Sequence, residues 1–171
     1  MRVGRLIARL VIGGLFIGHG LQKLTNLFGG SGVEGTTETM KSLRMYPAKP
    51  QAVAAGVAET GGGALLAAGL FTPLAAAGIT AVMLTAIRTV HGPKGPWNTD
   101  GGWEFNAVMI AAPLALTDAG PGPLSLDRAL GTERCGPKWT LGALGAGALG
   151  SALAVEAGHR LAPEPINTAY A

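Results

Sequence analysis

The stretch TGGGALLAAGLFTPLAAAGITAVMLTAI, residues 60–87, contains no charged side chain. About 20 helical residues cross the hydrocarbon core of a bilayer, so this stretch is too long for one upright helix. Thr72-Pro73 lies inside it, and a threonine followed by a proline is typical of a helix start. The stretch therefore predicts two membrane helices, at about 51–70 and 73–90, joined by a tight hairpin.

Three further segments on either side of this hairpin have the composition of membrane helices. The first covers about residues 5–24, the next about 103–117 with Pro113 inside it, and the last is a Gly/Ala-rich run at about 139–155. No A-x-A-like cleavage site follows the first segment, which ends at Lys23. We therefore expect this segment to be retained as a helix and not removed as a signal peptide.

The composition of the whole chain agrees with a membrane protein. Only 13% of its 171 residues are charged, against roughly 25% in soluble domains, and 28 residues are glycine. Its mean hydropathy is +0.35 and its formal net charge is +3. The basic residues are scattered, so no nucleic-acid partner is expected. The single cysteine, Cys135, excludes an intrachain disulfide framework and a CxxC metal site.

These segments predict an all-α fold, a polytopic membrane four-helix bundle with a fifth, C-terminal Gly/Ala-rich transmembrane helix. We expect the four-helix domain over residues 1–130 and a C-terminal extension over 131–171. Gly142, Ala146 and Gly150 recur every four residues in the fifth helix, the spacing at which two helix backbones approach closely. This face would pack against the bundle or a second copy, and chance spacing in a Gly/Ala-rich run is the alternative.

Ionisable side chains are costly inside a membrane span, at about 2.5–3.5 kcal/mol for a charge at mid-span, so each needs a partner or water. Six such residues lie in or near the ends of the first four helices: His19, Lys23, Glu59, Arg88, His91 and Glu104. Because successive helices run in opposite directions, all six are predicted to lie in one leaflet. The two acidic and two strongly basic charges among them sum to zero, as expected for groups that neutralise one another.

Glu59 lies well inside its predicted span, and small residues flank it at helical spacing. These small neighbours indicate that Glu59 faces another helix. We expect it to meet Lys23 or Arg88 inside the bundle, under a lid made of the loops 25–50 and 91–103. The alternative for Lys23 and Arg88 is that they extend along their helices to the membrane surface.

His19 and His91 lie on different helices near the same predicted membrane side, an arrangement that would suit haem ligation. A hydrogen-bonded structural role is much commoner for a histidine, so neither haem nor another intrinsic cofactor is expected. The residues form neither a metal-ligand spacing nor a complete catalytic constellation. Three arginines within residues 2–9 favour a cytoplasmic N-terminus in a bacterial inner membrane, although three basic residues within 41–49 oppose it.

Four short motifs occur in a characteristic order: His19-Gly20-x-x-Lys23; Glu59-x-Gly61-Gly62 with Gly69-x-x-Thr72-Pro73; His91; and Gly120-Pro121-Gly122-x-x-Ser125-Leu126-Asp127. In their order and spacing the chain resembles the DoxX/DoxD group of small four-helix membrane proteins over about residues 5–130. The resemblance implies a membrane subunit associated with respiratory or sulfur redox chemistry, since the family is named after a subunit of a quinol oxidase and thiosulfate:quinone oxidoreductase system. Some relatives are linked to oxidative-stress complexes with superoxide dismutase and a sulfurtransferase.

Three functions follow as alternatives. The chain is a subunit of a quinone-linked oxidoreductase, in which His19, Lys23, Glu59 and Glu104 line a quinone pocket; or a non-catalytic accessory or assembly subunit; or a carrier of a small lipophilic molecule. The expected partners are the lipid bilayer and other membrane or membrane-associated redox subunits. Quinone is the candidate bound cofactor.

Overall fold

The structure, a computed structural model, describes residues 3–164; Met1, Arg2 and residues 165–171 at the end of the predicted extension lie outside it. Within the described range all regular structure is helical. The α-helices are α1 (Val3–Leu24), α2 (Gly32–Ser42), α3 (Ala48–Ala68), α4 (Thr72–Ala86), α5 (Glu104–Ala119), α6 (Leu126–Leu130) and α7 (Pro137–Arg160). The predicted all-α fold is confirmed.

Helices α1, α3, α4 and α5 form a four-helix bundle. Helix α1 packs along α3, α3 packs on α4, α4 packs on α5, and α5 closes the ring against α1. The buried core of this bundle is made of Phe16, Leu66, Ala75, Ile79, Met83 and Leu116. Helix α7 packs along the outside of α4 and also contacts α5, and the short helix α2 lies against α1 and α3.

Helices α1 and α3 approach each other closely because glycine faces glycine between them. A Cβ atom at Gly13 would lie 2.5 Å from the carbonyl oxygen of Gly63, and a Cβ atom at Gly63 would lie 2.6 Å from the carbonyl oxygen of Gly13. No side chain fits at either position. This contact sets the register in which the end of α1 lies beside the middle of α3.

Three described helical segments are long and apolar enough to cross a membrane: Val3–Leu24, Thr72–Lys94 and Pro137–Arg160. Helix α3, with 21 residues, is also long enough for a bilayer core, but it is rich in Gly and Ala and carries Glu59. Its small and polar residues suit its position, because α3 packs against α1, α2 and α4. Helix α5 has 16 residues and is short for a full span, as its sequence predicts.

The observed helix boundaries differ from the predicted ones in two informative places. Helix α4 was expected to continue regularly to Val90, but its α-helical part ends at Ala86 and a π-helical turn, Ile87–His91, follows. The segment 25–50 was expected to be a loop, and it contains the helix α2. That helix is rich in Gly, Thr and Glu and has few apolar residues, so hydrophobic periodicity did not indicate it.

Within the chain, α7 packs on α4 with the helix face that carries Ala143, Gly147 and Ser151, all buried. A Cβ atom at Gly147 would lie 2.6 Å from the Cβ atom of Thr80 on α4. The hydroxyl of Thr85 donates to that of Ser151 at 3.0 Å. Small residues at four-residue spacing therefore do bring the two helices together.

The predicted packing face of α7 lies one residue away from this contact. Gly142 and Ala146 are exposed, and nothing lies within 4 Å of a Cβ atom at Gly142. Of the two glycines in the predicted set, Gly150 approaches α4, with its Cβ position 3.4 Å from Ala81. The interpretation as a packing face against the bundle is thus corrected by one residue, and packing of a second copy on Gly142 and Ala146 stays a prediction.

Candidate functional site

A cavity of about 460 Å³ lies at the end of the bundle where α1 ends. Its walls come from α1, α3, α4 and α5, with α2 and α7 completing them. Most lining side chains are apolar, but His19, Lys23, Glu59 and His91 also reach it. A largely apolar cavity of this size with a few polar groups is typical of small-molecule sites. This end of the molecule is called the cavity end below.

The ion pair between Lys23 and Glu59 is the main electrostatic feature of the cavity end. Lys23 Nζ lies 2.6 Å from Glu59 Oε2, and the side chains are 30% and 3% exposed. Glu59 therefore meets Lys23, one of the two cations named from the sequence. Among residues 3–164, Glu59 Oε1 has no hydrogen-bond partner, yet it is not sealed from the cavity.

The π-helical turn after α4 directs His91 to the cavity. Its Nδ1 lies 2.6 Å from the carbonyl oxygen of Gly101, which only accepts, so Nδ1 carries the proton. His19 Nδ1 lies 3.2 Å from Gln22 Oε1, and Gln22 Nε2 donates to the carbonyl oxygen of Phe28. Each neutral imidazole thus keeps an Nε2 atom that can accept a hydrogen bond.

Two of the six predicted cluster residues lie outside the cavity lining. Arg88 is exposed and has neither an ion pair nor a hydrogen bond through its side chain within the described part of the chain. The wide π-helical turn explains this, because it separates Arg88 from His91, which regular α-helical spacing would place on one face. Glu104 accepts a hydrogen bond from the backbone N–H of Asn98 at 2.6 Å and so orders the loop before α5.

Asn106 is a cavity residue that the sequence reasoning missed. It is 5% exposed, and its Nδ2 lies 3.4 Å from the sulfur of Met83. Asn106 is not ionisable, so the cost of a buried charge did not identify it, and an amide in the first turns of a predicted membrane helix was the available signal. Met40, Met45, Met83 and Met109 also line the cavity, and flexible thioethers of this kind fit irregular ligand shapes.

The predicted lid has a defined structure. Helix α2 contributes Thr39 and Met40 to the cavity wall, and Leu43 and Met45 follow in the connection to α3. The end of α7 holds this connection, because the backbone N–H of Tyr46 donates to the carbonyl oxygen of Gly158 at 3.2 Å. The loop before α5 is tied to the cavity through His91 and Gly101.

The opposite end of the bundle, called the closed end below, holds a buried arginine. Arg9 is 1% exposed, and its guanidinium donates to the carbonyl oxygens of Pro121, at 2.7 Å, and Leu124. The space for this guanidinium exists because residue 69 is a glycine with φ +64°, where a Cβ atom would overlap the guanidinium and crowd Ser125. A left-handed conformation also favours glycine at this position.

Asp127 completes the closed end. Its carboxylate accepts from the backbone N–H groups of Phe71 and Thr72 at 3.0 and 3.1 Å, and from the hydroxyls of Thr72 and Thr132 at 3.0 Å each. Its backbone N–H donates to the carbonyl oxygen of Gly69 at 2.8 Å. An acidic group at this position caps the start of α4 and stabilises its dipole.

The motifs that carried the family resemblance therefore lie in two places. The pieces around His19, Glu59 and His91 lie at the cavity end, and those around Gly69 and Asp127 lie at the closed end. The DoxX family model matches residues 4–92, more than half of the chain. The chain belongs to the DoxX family. With its apolar helices, this DoxX protein is a multi-pass membrane protein. No curated protein and no solved structure matches it.

Proposed function

We propose that this DoxX protein is a membrane subunit that binds a quinone in the cavity between Lys23, Glu59 and the end of α4. The observation that carries the proposal is the cavity of about 460 Å³, whose apolar walls are interrupted by an ion pair and two imidazoles. A quinone has an apolar ring and tail and two carbonyl oxygens. The apolar walls suit the ring and tail, and the polar groups suit the oxygens.

Lys23 has the chemistry to orient such a headgroup. One of its three N–H donors is directed at Glu59, which leaves donors for a carbonyl oxygen of the ligand. Reduction of a quinone takes two electrons and two protons. We assign the electrons to a partner subunit, in keeping with the respiratory or oxidative-stress complex that the family resemblance implies. In this scheme the chain positions the quinone and exchanges its protons.

The proposed setting is a bacterial inner membrane with the N-terminus in the cytoplasm. The arginines near the start of α1, among them Arg5 and Arg9, support this orientation under the positive-inside rule. Because Lys23 lies at the other end of α1, the cavity end then faces the outer leaflet. The quinone would enter from the outer half of the bilayer.

The test compares two identical substitutions on α3. Ala58 lines the cavity, whereas Ala64 is exposed on the outer surface of the bundle. Ala58→Leu adds three carbon atoms to the cavity wall and is expected to raise the Kd for a decyl-substituted benzoquinone at least about tenfold. Ala64→Leu is expected to leave the Kd unchanged. The measurement is calorimetric titration of the purified chain in lipid nanodiscs.

The outcome that overturns the proposal is equal affinity in both variants and the natural chain, or no binding by the natural chain at saturating ligand. Removing the His19 imidazole with His19→Ala gives a second check, because its ring lines the cavity and is held only by Gln22 among the described residues. Unchanged affinity in that variant would show that His19 does not contact the quinone, and the cavity would remain the proposed binding site.

A carrier of another small lipophilic molecule is the second candidate, and a specific feature favours it. Leu15 and Ala54 line the cavity and are also exposed, so the cavity opens through the side of the bundle. Solvent extraction of the chain purified gently from native membranes separates the candidates: a bound quinone supports the first, and a different bound lipid the second. Co-purified redox subunits without any bound small molecule would instead support the accessory-subunit function.

A further inference from the structure

The polar groups of the cavity differ in what they offer to a ligand. Thr39 and Thr89 both line it, and each hydroxyl proton is directed at a backbone carbonyl oxygen one helical turn earlier, at 3.1 and 2.8 Å. A hydroxyl whose proton is used in this way presents only its lone pairs. The threonines are therefore acceptors toward the cavity.

The two histidines have the same polarity. Because the Nδ1 atoms of His19 and His91 donate to Gln22 and to Gly101, the neutral rings present Nε2 as an acceptor. Glu59 adds a carboxylate oxygen, Oε1, that has no partner among the described residues. Three strong acceptors thus belong to one cavity.

Donors are fewer. Lys23 retains N–H groups beyond the one directed at Glu59. The amide of Gln51 already donates to the carbonyl oxygen of Ala154 at 3.2 Å, and that of Asn106 points Nδ2 at the Met83 sulfur. Each of these amides also has an oxygen without a partner within residues 3–164, so each adds an acceptor as well as a remaining N–H. The cavity is consequently richer in acceptors than in donors.

We propose that the cavity binds the reduced, dihydroxy form of its quinone, the quinol, in preference to the oxidised form; this inference rests on the proposed function. A quinol hydroxyl donates to Glu59 Oε1 or to an imidazole Nε2 and still accepts from Lys23. A quinone only accepts, so its binding removes water from these acceptors without replacing the hydrogen bonds. Polar protein groups left unpaired by a ligand strongly disfavour that ligand.

The natural chain tests this inference without any substitution. Three probes share one decyl tail: a hydroquinone, the matching benzoquinone, and the hydroquinone dimethyl ether, which has the oxygens of the quinol but no donors. Under anaerobic conditions in nanodiscs, the hydroquinone is expected to bind about tenfold more tightly than the other two. Equal or tighter binding of the benzoquinone or the ether overturns the preference. If none of the three binds, the proposed function itself fails.

A matched pair of variants tests which acceptor is responsible. Glu59→Gln replaces the charged acceptor by an amide that also donates, and it is expected to reduce the preference for the hydroquinone by about tenfold. Glu34→Gln makes the same change at an exposed position on α2 outside the cavity and is expected to have no effect. If a folded Glu59→Gln variant still prefers the hydroquinone as strongly as the natural chain does, Glu59 does not determine the preference and the inference is contradicted. If that variant does not fold, the comparison with the ether still decides.

Discussion

The closed end and the cavity end of the bundle both hold charges inside the membrane domain, but they satisfy them differently. At the closed end, Arg9 and Asp127 direct their charged groups at backbone atoms and hydroxyls of the surrounding turns. At the cavity end, Glu59 uses one oxygen for Lys23 and leaves the other accessible. A charged group that is hydrogen-bonded to the backbone holds helices in place, whereas a charged group with an unused hydrogen-bonding atom remains available to a ligand.

The same comparison separates the motifs of the DoxX resemblance by purpose. Gly69 is required by a left-handed turn and by the space for the buried guanidinium, and Thr72 and Asp127 form the cap at the start of α4. Lys23 and Glu59 have no such backbone role. We therefore expect substitutions at the closed end to act on stability and substitutions at the cavity end to act on binding as well.

Asp127→Ala is expected to produce the largest loss of stability. It removes the acceptor of four hydrogen bonds and the negative charge that lies at the same end of the bundle as the buried Arg9. We therefore expect the free energy of unfolding to fall by about 4–6 kcal/mol. Denaturant titration in detergent micelles measures it. Asp118→Ala is the control, because Asp118 is exposed and its carboxylate makes one contact of 3.4 Å, to Thr140. Equal losses in both variants would show that the closed end has no special structural role.

At the cavity end, removing one or the other partner of the ion pair should lower the free energy of unfolding by unequal amounts. Lys23→Met leaves the 3% exposed Glu59 carboxylate without its partner, and we expect a loss of about 2–4 kcal/mol. Glu59→Gln leaves Lys23, which is 30% exposed and can reach water, and we expect about 1–2 kcal/mol. The same unfolding measurement checks both. A larger loss for Glu59→Gln than for Lys23→Met would contradict the burial on which the site is based.

The sequence predicted the helix content, the hairpin at Thr72-Pro73 and a pairing of Glu59 with either Lys23 or Arg88, of which the structure shows the pair with Lys23. These features follow from hydropathy, capping residues and the cost of an unpaired buried charge, all of which act locally or pairwise. It did not predict the π-helical turn that separates Arg88 from His91, because a one-residue change in helical winding leaves no compositional trace. It also missed Asn106, whose importance depends on the neighbouring helices and not on its own segment.

Helix α7 illustrates a second limit. Its Gly/Ala-rich run has small residues at four-residue spacing in two adjacent registers, so spacing alone does not identify the face that meets α4. The boundary at residue 130, between a four-helix domain and a separate C-terminal extension, stays a prediction. In the structure, Gly150 and Ala154 of α7 reach the cavity wall, so this helix contributes to the site.

The smallest expected effect compares those two registers. Gly147→Ala places a Cβ atom 2.6 Å from that of Thr80 and is expected to cost about 1–2 kcal/mol of unfolding free energy. Gly142→Ala meets nothing within 4 Å and is expected to be neutral or slightly stabilising. If Gly142→Ala instead lowers the oligomeric state of the purified chain, a second copy packs on that face.

Photolabelling tests the division between the two ends most directly. A decyl quinone carrying an aryl azide is irradiated with the chain in nanodiscs, and the labelled peptides are identified by mass spectrometry, with unmodified decyl quinone as competitor. The account predicts competable labelling in the cavity-lining segments 15–23, 54–59 and 82–91 and none around Arg9 and Asp127. Labelling confined to the closed end, or spread without competition over exposed residues such as Leu74 and Val108, would contradict it.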